Sequence, residues 1–305
     1  MQSVFLGKKE YLHRISNKKS NPFKLRREVH RIEKGLTTQN RKEVFALSFI
    51  LETVECYLNT YKDLSKNNLE WAHNILASYF DVVSSSNPNF LKAKEVFMSV
   101  ENKNFLESGR VPFKYKDLPN ISISFNEFKK LCERRHSIRW FTKQKVSVDL
   151  IKKAVKVGAQ APSACNRQPF EILYFDDDKI LSELTKLPMG IKTYGHNIPG
   201  LAIIVGDLSA YFDERDRHLI YIDTSLFAMS FVLALETEGI STCIINWPDI
   251  EAREKKLYQL IDLPLNKRAI FFIAIGYAQE EGGIPFSEKK NTDELFFHNE
   301  KYINR

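Results

Sequence analysis

The run YIDTSLFAMSFVLALETEG constrains this chain most: it predicts a helix over about residues 220–238, closed by Gly239. It is apolar nearly all round, and a helix of that kind must be covered on every side, in a core or at a subunit interface. Around it lie short β-rich runs: FEILYF (170–175), LAIIVG (201–206), TCIIN (242–246) and AIFFIAIGY (269–277). Another helix is predicted at about 147–160, and in SFNEFKKLCERR the pair Ser124 and Glu127 has capping-box spacing. Helices alternating with short strands make this an α+β domain of roughly 180 residues.

The first third reads differently. Residues 43–63 and 69–83 carry apolar side chains at helical spacing, through Phe45, Ile50, Val54, Tyr57, Leu58 and Tyr61, then Trp71, Ile75, Leu76, Tyr79 and Val83. Polar, Gly and Pro breaks cluster at SSSNPN (84–89) and ESGRVPFKYKDLPN (107–120). The division expected is a basic arm and helical region over 1–115 and a second domain over 120–305. Residues 1–42 hold twelve Lys/Arg against three Asp/Glu, a local +9 that leaves the remainder at about −2. Such an arm is either a solvated, partly helical leader or a contact for an acidic partner or surface. No nucleic-acid motif accompanies it.

Composition, 43% hydrophobic and 27% charged, is that of a soluble globular protein. Runs such as FALSFIL and LAIIV are shorter than the ~18 residues of a membrane span, and no signal sequence is evident, so a cytoplasmic protein without a transmembrane segment is expected. Cys56, Cys132, Cys165 and Cys243 are scattered, which suggests neither a zinc site nor a disulfide framework.

Four polar constellations follow the boundary. In ERRHSIRWF, Arg134, Arg135, His136, Ser137 and Arg139 crowd one helix end; the guanidiniums repel one another unless an anion sits between them, and their forks suit phosphate. An exposed basic helix end, favoured by the macrodipole, is the plainer alternative. In APSACNRQPFEI, Pro162 and Pro169 fix the backbone while Ser163, Asn166 and Gln168 offer donors and acceptors to a flat polar ring. GISTCIINWP is a strand ending in Asn246, Trp247 and Pro248. In FSEKKNTDELFFHNEKY, Lys289 and Lys290 make a second cationic spot, or simply a solvated tail.

Together and in this order, these segments resemble the nitroreductase family of FMN-dependent oxidoreductases, over about 120–300. ERRHSIRWF is similar to that family's RRSxRxF phosphate signature, APSACNRQPF to its PSxxNxQPW loop, ETEGISTCIIN to the segment beneath the flavin, and IGY with SEKKNTDEL to its closing strand and tail. The resemblance implies a central mixed sheet flanked by helices and a homodimer with flavin sites between protomers. It assigns the ribityl phosphate to Arg135, His136, Ser137 and Arg139, with Lys289 at a position where the family has arginine. Pro162, Ser163, Ala164, Asn166 and Gln168 would line the ring from the other protomer, and the backbone of Ile244, Ile245 and Asn246 would run under it. Phe170 replaces the usual Trp, and Tyr194 or Asn197 matches a further polar contact only loosely.

The activity implied is hydride transfer from NAD(P)H through flavin N5 to a separate acceptor, in a ping-pong sequence, with no catalytic protein side chain required. A covalent role for Cys165 is disfavoured because no histidine is placed to activate it. Alternatives are a superfamily member specialised for dehydrogenation, dehalogenation or flavin fragmentation, and a nonredox FMN-binding module. REVHRIEKGLTT resembles a segment that precedes the nitroreductase domain in a subset associated with polysaccharide biosynthesis; its His30 and Glu33 also fit a plain helix-surface pair.

Overall fold

The structure is a computed structural model and describes residues 2–100 and 109–299. Eleven α-helices are described: α1 (Gln2–Ser16), α2 (Pro22–Thr37), α3 (Ile50–Thr60), α4 (Lys66–Val82), α5 (Pro88–Met98), α6 (Phe125–Arg134), α7 (Val148–Gly158), α8 (Asp178–Leu184), α9 (Leu219–Thr237), α10 (Glu251–Ile261) and α11 (Thr292–Leu295). Four strands, β1 (Phe170–Phe175), β2 (Leu201–Asp207), β3 (Ser241–Asn246) and β4 (Lys267–Gly276), form one sheet in the order β1-β2-β4-β3. Every ladder is antiparallel, and the parallel element that makes the sheet mixed is one bridge from Ser137 to Thr242 beside β3.

The sheet is covered on both faces, which is why its strands read as continuous apolar runs rather than alternating ones. On one face Ile203, Val205, Cys243, Ile245, Phe272 and Ala274 pack against Leu181, Leu184 and Leu257 of α8 and α10. On the other, Ala202, Ile204, Ile273 and Ile275 meet Ile151 and Ala154 of α7 and Phe227, Phe231 and Leu235 of α9. Helix α9 ends where its sequence says it must: Gly239 has φ +71 just beyond the helix, and Gly239 N–H and Ile240 N–H close back on the carbonyls of Glu236 and Leu235.

Length and composition alone would let Glu214–Thr237 cross a membrane, but the buried residues of α9 pack against α7 and the sheet, the position of a core helix. The cover expected on all sides is incomplete within one chain. Ile222 (52% exposed), Leu226 (43%) and Met229 (42%) lie at helical spacing on an open face. Helix α6 buries no residue and leaves Phe125 and Phe128 exposed nearby, since α6 packs on α9. Its capping box is formed: Ser124 Oγ accepts from Glu127 N–H, and Glu127 accepts from Ser124 N–H.

Helices α2 to α5 enclose a separate apolar cluster that includes Leu25, Ile32, Val54, Tyr57, Ile75, Leu76, Tyr79 and Phe90. The helix expected from residue 43 begins only at Ile50. Ala46 adopts φ +60, and the preceding turn sets Phe45 against Gly35 and edge-on to Tyr79, whose hydroxyl donates to Phe45 O. The apolar spacing at Phe45 therefore reports burial in a turn. The break expected at 107–120 lies partly outside the described residues, at Glu107 and Ser108, and is extended or bent from Gly109 onward apart from one short 3-10 turn, Tyr115–Asp117.

Helix α1 does not join the α2–α5 cluster. Val4 packs with Phe23 of α2 onto Leu208, Tyr211, Ile220 and Ile270, and Lys8 pairs with Glu214 at 2.7 Å. The contact is closest at Gly7, where a Cβ would stand 2.6 Å from the backbone carbon of Leu208. Gly7→Val is therefore expected to lower stability by about 1–3 kcal/mol through overpacking. A lower urea midpoint with faster tryptic cleavage after Lys18 or Lys19 checks this; wild-type values for both would show that the approach is not needed.

Candidate functional site

The basic segment leaves α6 as extended backbone. Arg135 caps the helix, Ser137 bridges to Thr242, and Ile138 N–H donates to Thr242 O at 3.0 Å, with Ile138 buried in the core beneath. Asn197 holds the far end: its Oδ1 accepts from Phe141 N–H at 2.8 Å and its Nδ2 donates to Arg139 O at 2.5 Å. Asn197 thus shapes the segment, while Tyr194 is buried with the Arg139 guanidinium 5.8 Å over its ring. Arg134 is committed to Glu236 of α9 at 2.9 Å, and His136 Nδ1 lies 2.9 Å from Arg134 O. Among the described residues no carboxylate lies within ion-pair distance of Arg135 or Arg139.

Strand β3 runs alongside. Ile245 points into the core, whereas Ile244 and Asn246 project to the exposed side. Arg135, His136, Ser137, Arg139, Ile244, Ile245 and Asn246 are therefore gathered at the β3 edge.

The loop after α7 is a second structure at the opposite edge, before β1. Three of its residues other than glycine take left-handed backbone: Cys165 (φ 54), Asn166 (φ 53) and Gln168 (φ 52). Each such conformation costs of order 1 kcal/mol or more and persists only when neighbours enforce it. Several do. Ser163 Oγ accepts from Gln168 N–H at 3.0 Å, Gln168 Nε2 donates to Asn166 Oδ1 at 2.8 Å, and Ala164 N–H donates to Asp223 Oδ2 of α9 at 2.9 Å. Asp223 is 2% exposed, and burial raises its carboxyl above the ordinary value, opposed by the Ala164 N–H and the Arg167 charge. Arg167, itself buried, lies 5.2 Å over the Tyr211 ring. Cys165 is half-buried, and no described histidine bonds to it.

The N-terminal helices reach this loop. Arg26 of α2 donates Nε to Asn166 O and Nη1 to Asn68 Oδ1, both at 2.8 Å, and sits 5.2 Å over the Trp71 ring. Burial pushes its guanidinium down to about 10. Glu33, two turns further along α2, accepts from Trp71 Nε1 and lies 3.1 Å from His30 Nδ1, so the His30–Glu33 pair holds the Trp71 ring on which Arg26 rests. Neither Arg26 nor Asp223 stands out in sequence: each is a lone polar residue in an otherwise ordinary helix, and its partner lies far along the chain. Lys289 is in an exposed tail and donates to Ser287 O; among the described residues nothing joins it to Arg135.

The two groups are well separated within one chain. Asp223 and Glu236, which hold them, are thirteen residues apart on α9, about 20 Å at 1.5 Å per residue. The sheet agrees, because β1 and β3 are its outer strands, three spacings or about 14 Å apart.

Comparison with known proteins assigns this architecture. The nitroreductase family model matches residues 132–196 and 193–277. This stretch, just under half of the chain, is nitroreductase-like. Iodotyrosine deiodinase 1 of Sus scrofa is 22% identical over 219 residues, covering 62% of this chain and 75% of that protein. A protein of Archaeoglobus fulgidus named for NADH dehydrogenase or NAD(P)H nitroreductase activity is 26% identical over 175 residues, covering 57% of this chain and 97% of its own length. A solved Bacillus subtilis structure named as a nitroreductase superposes with a TM-score of 0.51 at 16% identity, covering 57% of this chain and all of its own. It shares the fold. The nitroreductase match excludes α1 to α5, so Arg26 is an addition to the loop from outside the matched region.

Removing that addition is measurable without any ligand. Arg26→Ala is expected to cost about 1–3 kcal/mol, the range for a hydrogen bond to a charged group, and to speed amide exchange across 163–168 relative to β2. Unchanged protection there would show that Asp223 alone holds the loop.

Proposed function

We propose that this nitroreductase-family protein is a homodimeric, FMN-dependent NAD(P)H oxidoreductase whose flavin sites are each completed by both protomers. One observation carries the reading: the two residue groups that fit a flavin sit at opposite ends of α9, too far apart to hold one ring within a chain. The open stripe of Ile222, Leu226 and Met229 runs along α9 from its Asp223 end towards its middle. Two α9 helices crossing antiparallel about a twofold axis set the phosphate end of one protomer beside the loop end of its partner and cover both stripes.

The residues present fit the cofactor. Among the described residues Arg135 and Arg139 have no carboxylate partner, and with Ser137 and His136 they would hold the phosphate. Ile244, Ile245 and Asn246 would lie under the ring, and Pro162, Ser163, Ala164, Asn166 and Gln168 of the other protomer would close over it. The enforced left-handed backbone at Cys165, Asn166 and Gln168 aims a polar surface that ordinary turn geometry would not present. Bound there, FMN would accept hydride from NAD(P)H and pass it to an acceptor in alternate half-reactions. The chain's own work is to hold, orient and screen the ring from water. Lys289, on a tail that exposes Ile284, Phe286, Leu295 and Phe296, is assigned to the partner's phosphate, because such a tail gains cover only on another subunit. Four free thiols fit a reducing compartment.

A second reading is favoured by the similarity to iodotyrosine deiodinase 1: the same site would serve reductive dehalogenation. The HRIEKGL resemblance proposes instead an acceptor in polysaccharide biosynthesis. Anaerobic titration with NADPH or NADH, followed by reoxidation with a nitroaromatic, a halotyrosine or oxygen, separates these. The expected result is a flavin that bleaches with NAD(P)H. FMN that resists bleaching identifies a nonredox module, and FAD in the purified protein overturns the site assignment.

The composite site makes a sharper prediction. Leu226→Glu is expected to yield monomers by light scattering and to lose most bound FMN in the same step, although Leu226 is assigned no flavin contact. Arg135→Ala is expected to lose most FMN yet stay dimeric. A Leu226→Glu monomer that still binds FMN tightly would contradict the shared site.

A further inference from the structure

We propose that a pocket at the N-terminus of α2 is a second anion site, which binds phosphate or a phosphate monoester independently of the flavin site. The pocket, a cavity of about 180 Å³, lies among the end of α1, the start of α2 and one side of α3. That exceeds the roughly 30 Å³ share of one water and admits an oxyanion with part of its hydration. Four cations line it: Arg14, Lys18, Lys19 and Lys24. Two carboxylates, Glu52 and Glu55, line it as well, which leaves the lining net positive. Glu52 already takes Lys24 at 3.3 Å, and Arg14 takes Glu10 at 2.7 Å, whereas Lys18 and Lys19 are in no described ion pair.

Charge alone does not make the site; Asn21 does. It is the N-cap of α2 and 1% exposed, with Oδ1 accepting from Lys24 N–H at 3.0 Å. Its backbone is used in full: N–H donates to Thr60 Oγ1, and the carbonyl accepts from Leu25 N–H and Cys56 Sγ. The side-chain Nδ2 of this pocket-lining residue, by contrast, is a buried donor without a partner among the described residues. A buried unsatisfied donor costs about 1–3 kcal/mol, which an acceptor ligand recovers. A donor selects against a metal cation at this point, and the positive end of the α2 dipole favours negative charge. The opposing end of α1 is neutralised locally, because its last carbonyls accept from Ser16, Asn17, Lys18 and Lys19.

The test is calorimetric titration of the full-length protein with sodium phosphate against sodium chloride at matched ionic strength, with glucose 1-phosphate as a second probe. Saturable binding at one site per chain is expected. Asn21→Asp keeps a good N-cap but removes the donor and adds like charge, so it is expected to weaken phosphate by about tenfold or more. Lys18→Gln with Lys19→Gln, both exposed and remote from the core, is expected to weaken it without altering the fold. Arg135→Ala is expected to leave it unchanged, which separates this pocket from the flavin phosphate. Tighter binding of glucose 1-phosphate than of phosphate identifies an organic phosphate ester as the ligand; equal or weaker binding identifies the free ion. No saturable phosphate binding, binding that survives both the Asn21 and the lysine variants, or binding lost only in Arg135→Ala overturns the proposal.

Discussion

Two buried carboxylates on one apolar helix organise the molecule. Helix α9 carries Asp223 near its start and Glu236 near its end, and each is held by a group from the candidate site, the Ala164 N–H and the Arg134 guanidinium. Buried charges survive only where such partners are fixed. The helix therefore sets both the positions of the two half-sites and the span between them. The proposal of a flavin site shared between protomers follows from that span, because a helix of this length keeps the two groups about 20 Å apart within one chain.

The loop at the Asp223 end shows how its strain is sustained. Three departures into left-handed backbone within four residues are not stable in an isolated turn. Asp223 fixes the loop from the sheet side through Ala164, and Arg26 fixes it from the opposite side through Asn166. A loop gripped from two sides has little freedom to re-form around a ligand. It presents a surface already shaped, so less ordering free energy is lost on binding.

Most secondary structure was legible because it is periodic. The four strands, the helices beginning near residues 124 and 147, and the Gly239 stop all came from spacing and local chemistry, which act over a few residues. What could not be read is long-range. Strand order decides that the basic segment and the Pro-rich loop occupy opposite edges, and nothing in FEILYF or TCIIN states which neighbour each takes. The uncovered face of α9 was hidden for a related reason: Ile222, Leu226 and Met229 are as apolar as the buried Phe227 and Phe231, so composition does not separate a buried face from an open one. Lys289 followed from family resemblance, and within the chain it stays apart from the cluster it was assigned to.

The N-terminal charge was the feature that sequence most overstated. An excess of nine positive charges in 42 residues reads as a solvated arm, yet Lys8, Arg14, Lys24, Arg27 and Arg31 are paired with carboxylates, and Arg26 is buried against Trp71 and Asn166. Arg27 and Arg31 also lie over the rings of Phe212 and Phe49. Counting charge along a chain misses this, because Glu214 and Glu52 lie outside the window counted. Arginines that join helices by stacking and hydrogen bonding are structural cement whose charge is already neutralised locally. Besides Arg26, the cations outside described ion pairs are Lys9, Lys18, Lys19, Lys34, Arg41 and Lys42, on α1, at its exit and around the end of α2; Lys9 borders an open apolar groove on α1, and Lys18 and Lys19 line the pocket at the start of α2. The basic character of this region therefore resolves into two uses, docking the helices onto the side of the fold that carries the 161–172 loop and surrounding one amide without a partner among the described residues.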